Sequence, residues 1–302
     1  MFTGTFAALL TPFDRRGEVV EEQLRAHVEW LIGKGVDGLY VCGNTGQGVY
    51  LSVPERQRVL EAVKDQARGR CRLIAHVATL ATRDAQALAA HASDLGVDAI
   101  ASLAPIYWAY REDEIVAYYR DLVQASRAPC LMYVWSGPGM ADLGVDTVLR
   151  VAQIPGMAGM KYTSADFFRM QAICQRVGRD WVVLSGPDEL FLPALTMGVK
   201  GSIGTTQNVF PELFMEIQRC FQAGDLGRAM AIQQTVTRIV SLYKPYGSAV
   251  TAQTMLTLRG LALGLCRAPF TARVPPDEAA RLLDSLRQTI AACPVSIALP
   301  GQ

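Results

Sequence analysis

Five of the 29 basic residues are lysines, at positions 34, 64, 161, 200 and 244. Four have ordinary surroundings. Lys34 sits in Gly33-Lys-Gly35 at a predicted helix end, Lys64 on the polar side of a stretch carrying Val59 and Val63, Lys200 just ahead of a short apolar run, and Lys244 beside Pro245 in a predicted surface turn. Lys161 differs, because it stands inside the apolar run Ala158-Gly-Met-Lys-Tyr162. An ammonium kept charged in a core is costly, so the residue reads as an amine of depressed pKa that can attack a carbonyl. At its ordinary pKa of about 10.4 a lysine is roughly one part in a thousand neutral near pH 7.4, and a lowering by two or three makes it a useful nucleophile. The competing reading is an ion pair with a buried carboxylate such as Asp188.

Tyr133, in Cys130-Leu-Met-Tyr-Val-Trp135, ends the apolar run before that of Lys161. Adjacent strands lie about 4.8 Å apart, so its hydroxyl can approach the amine and exchange protons with a substrate. Gly43-Asn-Thr-Gly-Gln-Gly48 is a glycine-rich turn whose amides and Thr45 hydroxyl suit a carboxylate. It has neither the lysine of a phosphate loop nor GxGxxG spacing, so no nucleotide cofactor is expected. His27 and His91 fall in amphipathic helices as surface or packing groups; His76, in a strand, is read as a core histidine that could face the pocket. The seven cysteines are widely scattered and read as isolated thiols, and no His/Asp/Glu spacing suggests a metal site.

These side chains need a scaffold. The chain has 302 residues, 50% hydrophobic and 19% charged, enough for a large core. A net charge of +1 and the absence of a long apolar run or leader argue for a small-molecule partner, with no nucleic acid and no membrane, in the cytoplasm. Eight short apolar runs alternate with amphipathic stretches: Thr5 to Leu10, Gly38 to Cys42, Arg72 to Val77, Ala99 to Ala104, Cys130 to Trp135, Gly159 to Tyr162, Val182 to Ser185 and Gly201 to Gly204. That alternation predicts an α/β fold, a (β/α)8 TIM barrel over residues 1–223, which places Lys161 at the C-terminal end of the sixth strand, where barrel enzymes carry their chemistry. Ser52-Val-Pro-Glu55 predicts a capped helix start, and Thr82 to Gly96 a second helix with Thr82 as cap and Gly96 just past its end. Residues 224–302 predict an appended helical segment, with helices over Leu226 to Tyr243, Ser248 to Leu263 and Pro276 to Ala292.

Gly43-Asn-Thr-Gly-Gln, Thr11-Pro-Phe, Tyr133 and Gly159-Met-Lys-Tyr-Thr-Ser164, in this order, resemble the dihydrodipicolinate synthase and N-acetylneuraminate lyase family over nearly the whole chain. The resemblance implies a barrel with a C-terminal helical extension, usually a homotetramer, that forms a Schiff base between a strand-six lysine and the keto carbon of pyruvate or a related 2-oxo acid. It implies Lys161 as the Schiff-base lysine, Tyr133 as the proton-transfer tyrosine, Asn44 and Thr45 as the carboxylate-binding pair, and Tyr107 as a tyrosine contributed across a subunit interface. Thr163, Asp188, Glu189 and Thr205 match the positions that receive sugar hydroxyls in the lyase branch. The synthase branch carries an arginine where this chain has Pro138. Asn44 replaces a hydroxyl residue that helps relay protons, and Gln47 replaces a usual glutamate.

The resulting expectation is a metal-independent class I aldolase without a cofactor, cleaving a polyhydroxylated 2-oxo acid to pyruvate and an aldehyde. Synthase-like condensation and 2-keto-3-deoxy acid dehydration are alternatives within the family. A non-catalytic oxo-acid-binding regulatory protein, its relay disabled by Asn44, is the alternative from another class.

Overall fold

The computed structural model describes residues 2–299 apart from 138, 139, 142, 244, 271 and 272, so the readings of Pro138 and Lys244 fall outside the described residues. Eight parallel strands alternate with helices: β1 (Gly4–Ala8), α1 (Glu21–Gly33), β2 (Gly38–Val41), α2 (Val53–Ala67), β3 (Arg72–His76), α3 (Thr82–Asp94), β4 (Ala99–Leu103), α4 (Glu112–Gln124), β5 (Cys130–Trp135), α5 (Val145–Ala152), β6 (Met157–Thr163), α6 (Phe167–Arg176), β7 (Val182–Ser185), α7 (Phe191–Thr196), β8 (Gly201–Gly204) and α8 (Pro211–Gln222). Each strand pairs with its neighbours in sequence and β1 closes on β8, giving the (β/α)8 barrel.

The strands are mostly apolar because both of their faces are covered. Phe6, Tyr40, Ile74, Ala101, Leu131, Leu184 and Ile203 fill the barrel interior. Alternate residues such as Met132, Met160 and Val183 join the layer under the helices. β1 to β4 stop before the last residues of the predicted runs, since the chain peels off the ladder into loops there; Cys42, just past β2, already has φ 57°. β6 runs longer than the predicted Gly159 to Tyr162. Met157 pairs with Cys130 and Thr163 with Trp135, across a register shift at Cys130/Leu131.

Helix starts follow local chemistry with one correction. Ser52 and Glu55 form the reciprocal capping box ahead of α2: Glu55 N–H donates to Ser52 Oγ (3.4 Å) and Ser52 N–H to Glu55 Oε2 (2.7 Å). Thr82 is not a cap. Ala81 takes that position, and Thr82 is already helical, while the nearby Thr79 hydroxyl donates to Ala81 O at 2.6 Å. Gly96 follows the α3 C-cap at φ 69°, a left-handed conformation that suits glycine.

Three further helices complete the chain: α9 (Leu226–Ser241), α10 (Ser248–Leu258) and α11 (Pro276–Ala291). α10 ends at Leu258, short of Leu263, because Gly260 turns the chain at φ 85°. α9 packs on α8 and on the 3-10 turn Asp188–Leu190, α10 on the turn Thr206–Asn208, and α11 on α9. The C-terminal helices therefore brace the loops after β7 and β8. Among the described residues no helix is long and apolar enough to cross a membrane.

Candidate active site

Lys161 and Tyr133 are direct partners across the β5–β6 ladder. The Lys161 amine lies 4.5 Å from the centroid of the Tyr133 ring and 5.0 Å from that of Tyr40, with the residue 6% exposed. Burial pushes its pKa down to about 8, with Asp188 pulling in the opposite direction. The ion pair with Asp188 does not form: among the described residues Lys161 has no carboxylate at ion-pair distance, and the Asp188 carboxylate turns to the loop after β8, accepting from Thr206 N–H at 2.8 Å. Its second oxygen, Oδ1, is buried and unpartnered. Burial raises the Asp188 pKa to about 6, against the pull of Thr206.

Tyr133 is buried, and desolvation lifts its hydroxyl to about 12. Thr163 tempers the rise but falls short of a full hydrogen bond. Under these rings lies His76, edge-on to Tyr133 (centroids 6.0 Å apart) and 5.6 Å from Tyr40, with Nδ1 3.2 Å from Cys42 O. Burial, then the Arg56 and Lys161 cations, drive its pKa well below the ordinary value, so it is a neutral interior group. His27 is likewise buried against Asn208 O, and His91 meets Glu61 at 2.8 Å.

Two loops meet above the amine. Thr45, from the turn after β2, shares a 2.7 Å hydroxyl contact with Thr205, after β8. Asn44 is exposed at the rim. Gln47, at φ 55°, is buried and holds the turn to the C-terminal segment: its amide donates to Arg267 O and accepts from Arg267 N–H, both at 3.1 Å. A glutamate could supply only the acceptor half of that pair. On the opposite wall, two strand-end glycines allow close approach. A Cβ on Gly186 would lie 1.7 Å from Thr163 Oγ1, and one on Gly204 1.6 Å from Asp188 Oδ1.

The cavity over the amine is about 360 Å³, open to solvent at its mouth, and is lined by Asn44, Thr45, Tyr133, Lys161, Thr163, Asp188, Glu189 and Thr205. Of the catalytic and substrate-binding residues that the resemblance implies, Tyr107 is the one not brought to it within one chain, and His76 lies beneath the rings without lining the cavity. Tyr107 is 81% exposed, at φ 89°, edge-on to Trp108. Among the described residues, no cluster of His, Cys, Asp and Glu is arranged to hold a metal ion.

A profile of the dihydrodipicolinate synthetase family matches residues 1–288. The chain belongs to this family. N-acetylneuraminate lyases of Salmonella typhimurium and Salmonella newport are 35% identical to it over 277 residues, 91% of this chain and 92% of theirs. Among solved structures, the sialic acid aldolase of Ruminococcus gnavus superposes with a TM-score of 0.92 at 29% identity, covering 96% of this chain and 98% of that one. Dihydrodipicolinate synthase of Aquifex aeolicus gives 0.88 at 28%, covering 97% and 100%.

In this member of the dihydrodipicolinate synthetase family, residues that no motif marked also line or brace the cavity. Trp135 lines the cavity two residues beyond Tyr133; the period-2 alternation of a strand puts both on the same face and was a usable signal. Tyr243, in the turn just past α9, lines it too and donates to Thr206 Oγ1 at 2.9 Å. Gln233 on α9 donates to Asp188 O at 3.2 Å and accepts from Leu192 N–H at 2.8 Å. Both come from the C-terminal segment, where nothing local in the sequence connects them to the barrel mouth.

Proposed function

We propose that this protein is a class I aldolase that cleaves a polyhydroxylated 2-oxo acid, of the N-acetylneuraminate or 2-keto-3-deoxy sugar acid kind, into pyruvate and an aldehyde. The observation that carries the reading is the Lys161 amine, buried, with no ion-pair partner among the described residues and its pKa lowered to about 8, beside Tyr133 at the floor of a cavity. The lyases and aldolases among its relatives support it.

In this reading the neutral Lys161 amine adds to the C2 carbonyl, and loss of water gives an iminium. Asn44 and Thr45 hold the C1 carboxylate. Tyr133 takes the proton of the 4-hydroxyl as its own passes to the substrate carboxylate. The C3–C4 bond then breaks, its electrons flow into the iminium to form an enamine, and the aldehyde leaves. Protonation at C3 and hydrolysis of the imine release pyruvate and the free amine. Thr163, Asp188, Glu189 and Thr205 receive the hydroxyls of the leaving half; a carboxylate such as Asp188, with an unpartnered oxygen, accepts several of them.

We further infer that the chain acts as a cytoplasmic homotetramer, with residues 224–302 as a bracing segment of the 1–223 barrel. Exposed Tyr107 would then serve the site of a neighbouring subunit; its strained backbone and its solvent-facing partner Trp108, 69% exposed, support that reading. The decisive experiment is borohydride reduction with pyruvate, with mass-spectrometric location of the adduct, followed by a panel of sugar-derived 2-oxo acids assayed for pyruvate release. An adduct on Lys161 and release abolished in Lys161→Ala are expected. No adduct, and no cleavage or condensation above that control, would leave an oxo-acid-binding protein instead.

A further inference from the structure

The site has two tiers, set by strand register. Tyr133 pairs with Lys161 in the lower one, and Trp135 pairs with Thr163 one step further toward the mouth. Two residues along a strand advance about 6.6 Å, so the upper tier begins that far beyond the reacting carbon. At this level Gly186 follows β7, and the place its side chain would take is filled by Thr163 Oγ1, which a Cβ there would meet at 1.7 Å. The upper tier is therefore two-faced. One side is the Trp135 indole, half-buried on the cluster of Ala78, Leu103 and Tyr133, with its plane within 8° of the Tyr133 ring and centroids 6.5 Å apart. Beside it on the neighbouring strand is Thr163, whose hydroxyl oxygen is buried against Gly186 and has no hydrogen-bond partner among the described residues.

We infer that Trp135 is the specificity-determining residue for the aldehyde half. It is a platform for the C–H face of a carbon chain whose hydroxyls point the opposite way, to Thr163 and the carboxylates after β7. This rests on the aldolase reading above and deepens it. A chain too short to reach the upper tier gains nothing from the indole, so the platform selects long sugar-derived 2-oxo acids over a four-carbon analogue. The reacting atoms and Tyr133 lie in the tier below, and Trp135 takes no part in proton transfer.

The test compares kcat/KM for the six-carbon or longer sugar-derived 2-oxo acid that the wild type cleaves fastest with that for 4-hydroxy-2-oxobutyrate. In Trp135→Ala the long-to-short ratio is expected to fall about tenfold, the scale of about two methylene-sized groups losing apolar cover, mainly through KM of the long substrate. Trp135→Phe restores most of the ratio. Equal losses on both substrates would make Trp135 a mere prop for Tyr133 and overturn the inference. An unchanged ratio, or a wild type with no preference for the longer acid, would overturn it as well. Failure of the underlying aldolase reading shows separately, as a wild-type protein that forms no borohydride-stable pyruvate adduct.

Discussion

Lys161 is useful to a carbonyl substrate for the same reason that it burdens the fold. Its proton is held up to about 10.5 in an unfolded chain and only to about 8 in the folded one. Below pH 8 each further unit removes about nine-tenths of the remaining neutral amine. Pyruvate trapping by cyanoborohydride is therefore expected to climb roughly tenfold from pH 6.5 to 7.5 and to level off above 8. A flat profile over that span would show that some other group limits imine formation. The same difference works on stability. The unfolded state binds more protons between pH 8 and 10.5, so stability rises with pH across that window and the whole deficit is present at pH 7. Lys161→Met, which keeps the length and removes the charge, is expected to stabilise the protein at pH 7 by on the order of 2–3 kcal/mol while abolishing trapping. Urea unfolding measures it, and a lower midpoint than wild type would refute the argument.

At the scale of elements, the site depends on pieces that carry no reacting group. The turn Asp188–Leu190 is one short 3-10 element, and its fastening comes from α9 through Gln233, which is buried and bonded to both Asp188 O and Leu192 N–H. Gln233→Leu leaves a buried N–H and C=O without partners, at a cost of roughly 1–3 kcal/mol. It is also expected to lower kcat/KM for hydroxylated substrates, since Asp188 loses its anchor, while pyruvate trapping at Lys161 persists. Thermal unfolding and the two assays together check this; equal loss of trapping would mean that the turn supports the amine as well. The turn after β2 is fastened similarly by Gln47 and Arg267, whose side chain also meets Gly17 O, Tyr50 O at 2.9 Å and Glu55 at 2.5 Å. The C-terminal chain thus ties down both loops of the mouth.

For the whole molecule, closure of eight parallel strands decides which loops share one end. It brings Thr45 and Thr205 together although 160 residues separate them. The proposed tetramer extends this logic beyond one chain, because Tyr107 completes a site only if a second subunit presents it. Sedimentation velocity is expected to give a particle of four chains, and Tyr107→Phe to lower kcat with little change in the sedimentation coefficient. A monomer with full activity would remove Tyr107 from the reaction.

Much of this arrangement was legible in the linear sequence, since its signals are local. A strand covered on both faces must be apolar, and a short run bounded by small or polar residues shows it; β5, β7 and β8 match their predicted limits for that reason. A lysine inside such a run is conspicuous because charge is expensive there, and the glycine-rich turn and Asp188-Glu189 stand out for related reasons. Other features had no local signal. Whether Lys161 paired with Asp188 turned on where the carboxylate points, which Thr206 N–H and the open space over Gly204 settle. Trp135 beside Thr163, Tyr243 under the β8 loop and Gln233 behind Asp188 follow from register, barrel closure and the docking of α9. Hydrophobic pattern specifies which face of an element is covered; which side chains then meet across a cavity is set by how the covered faces pack, and that exists only once the chain has closed on itself.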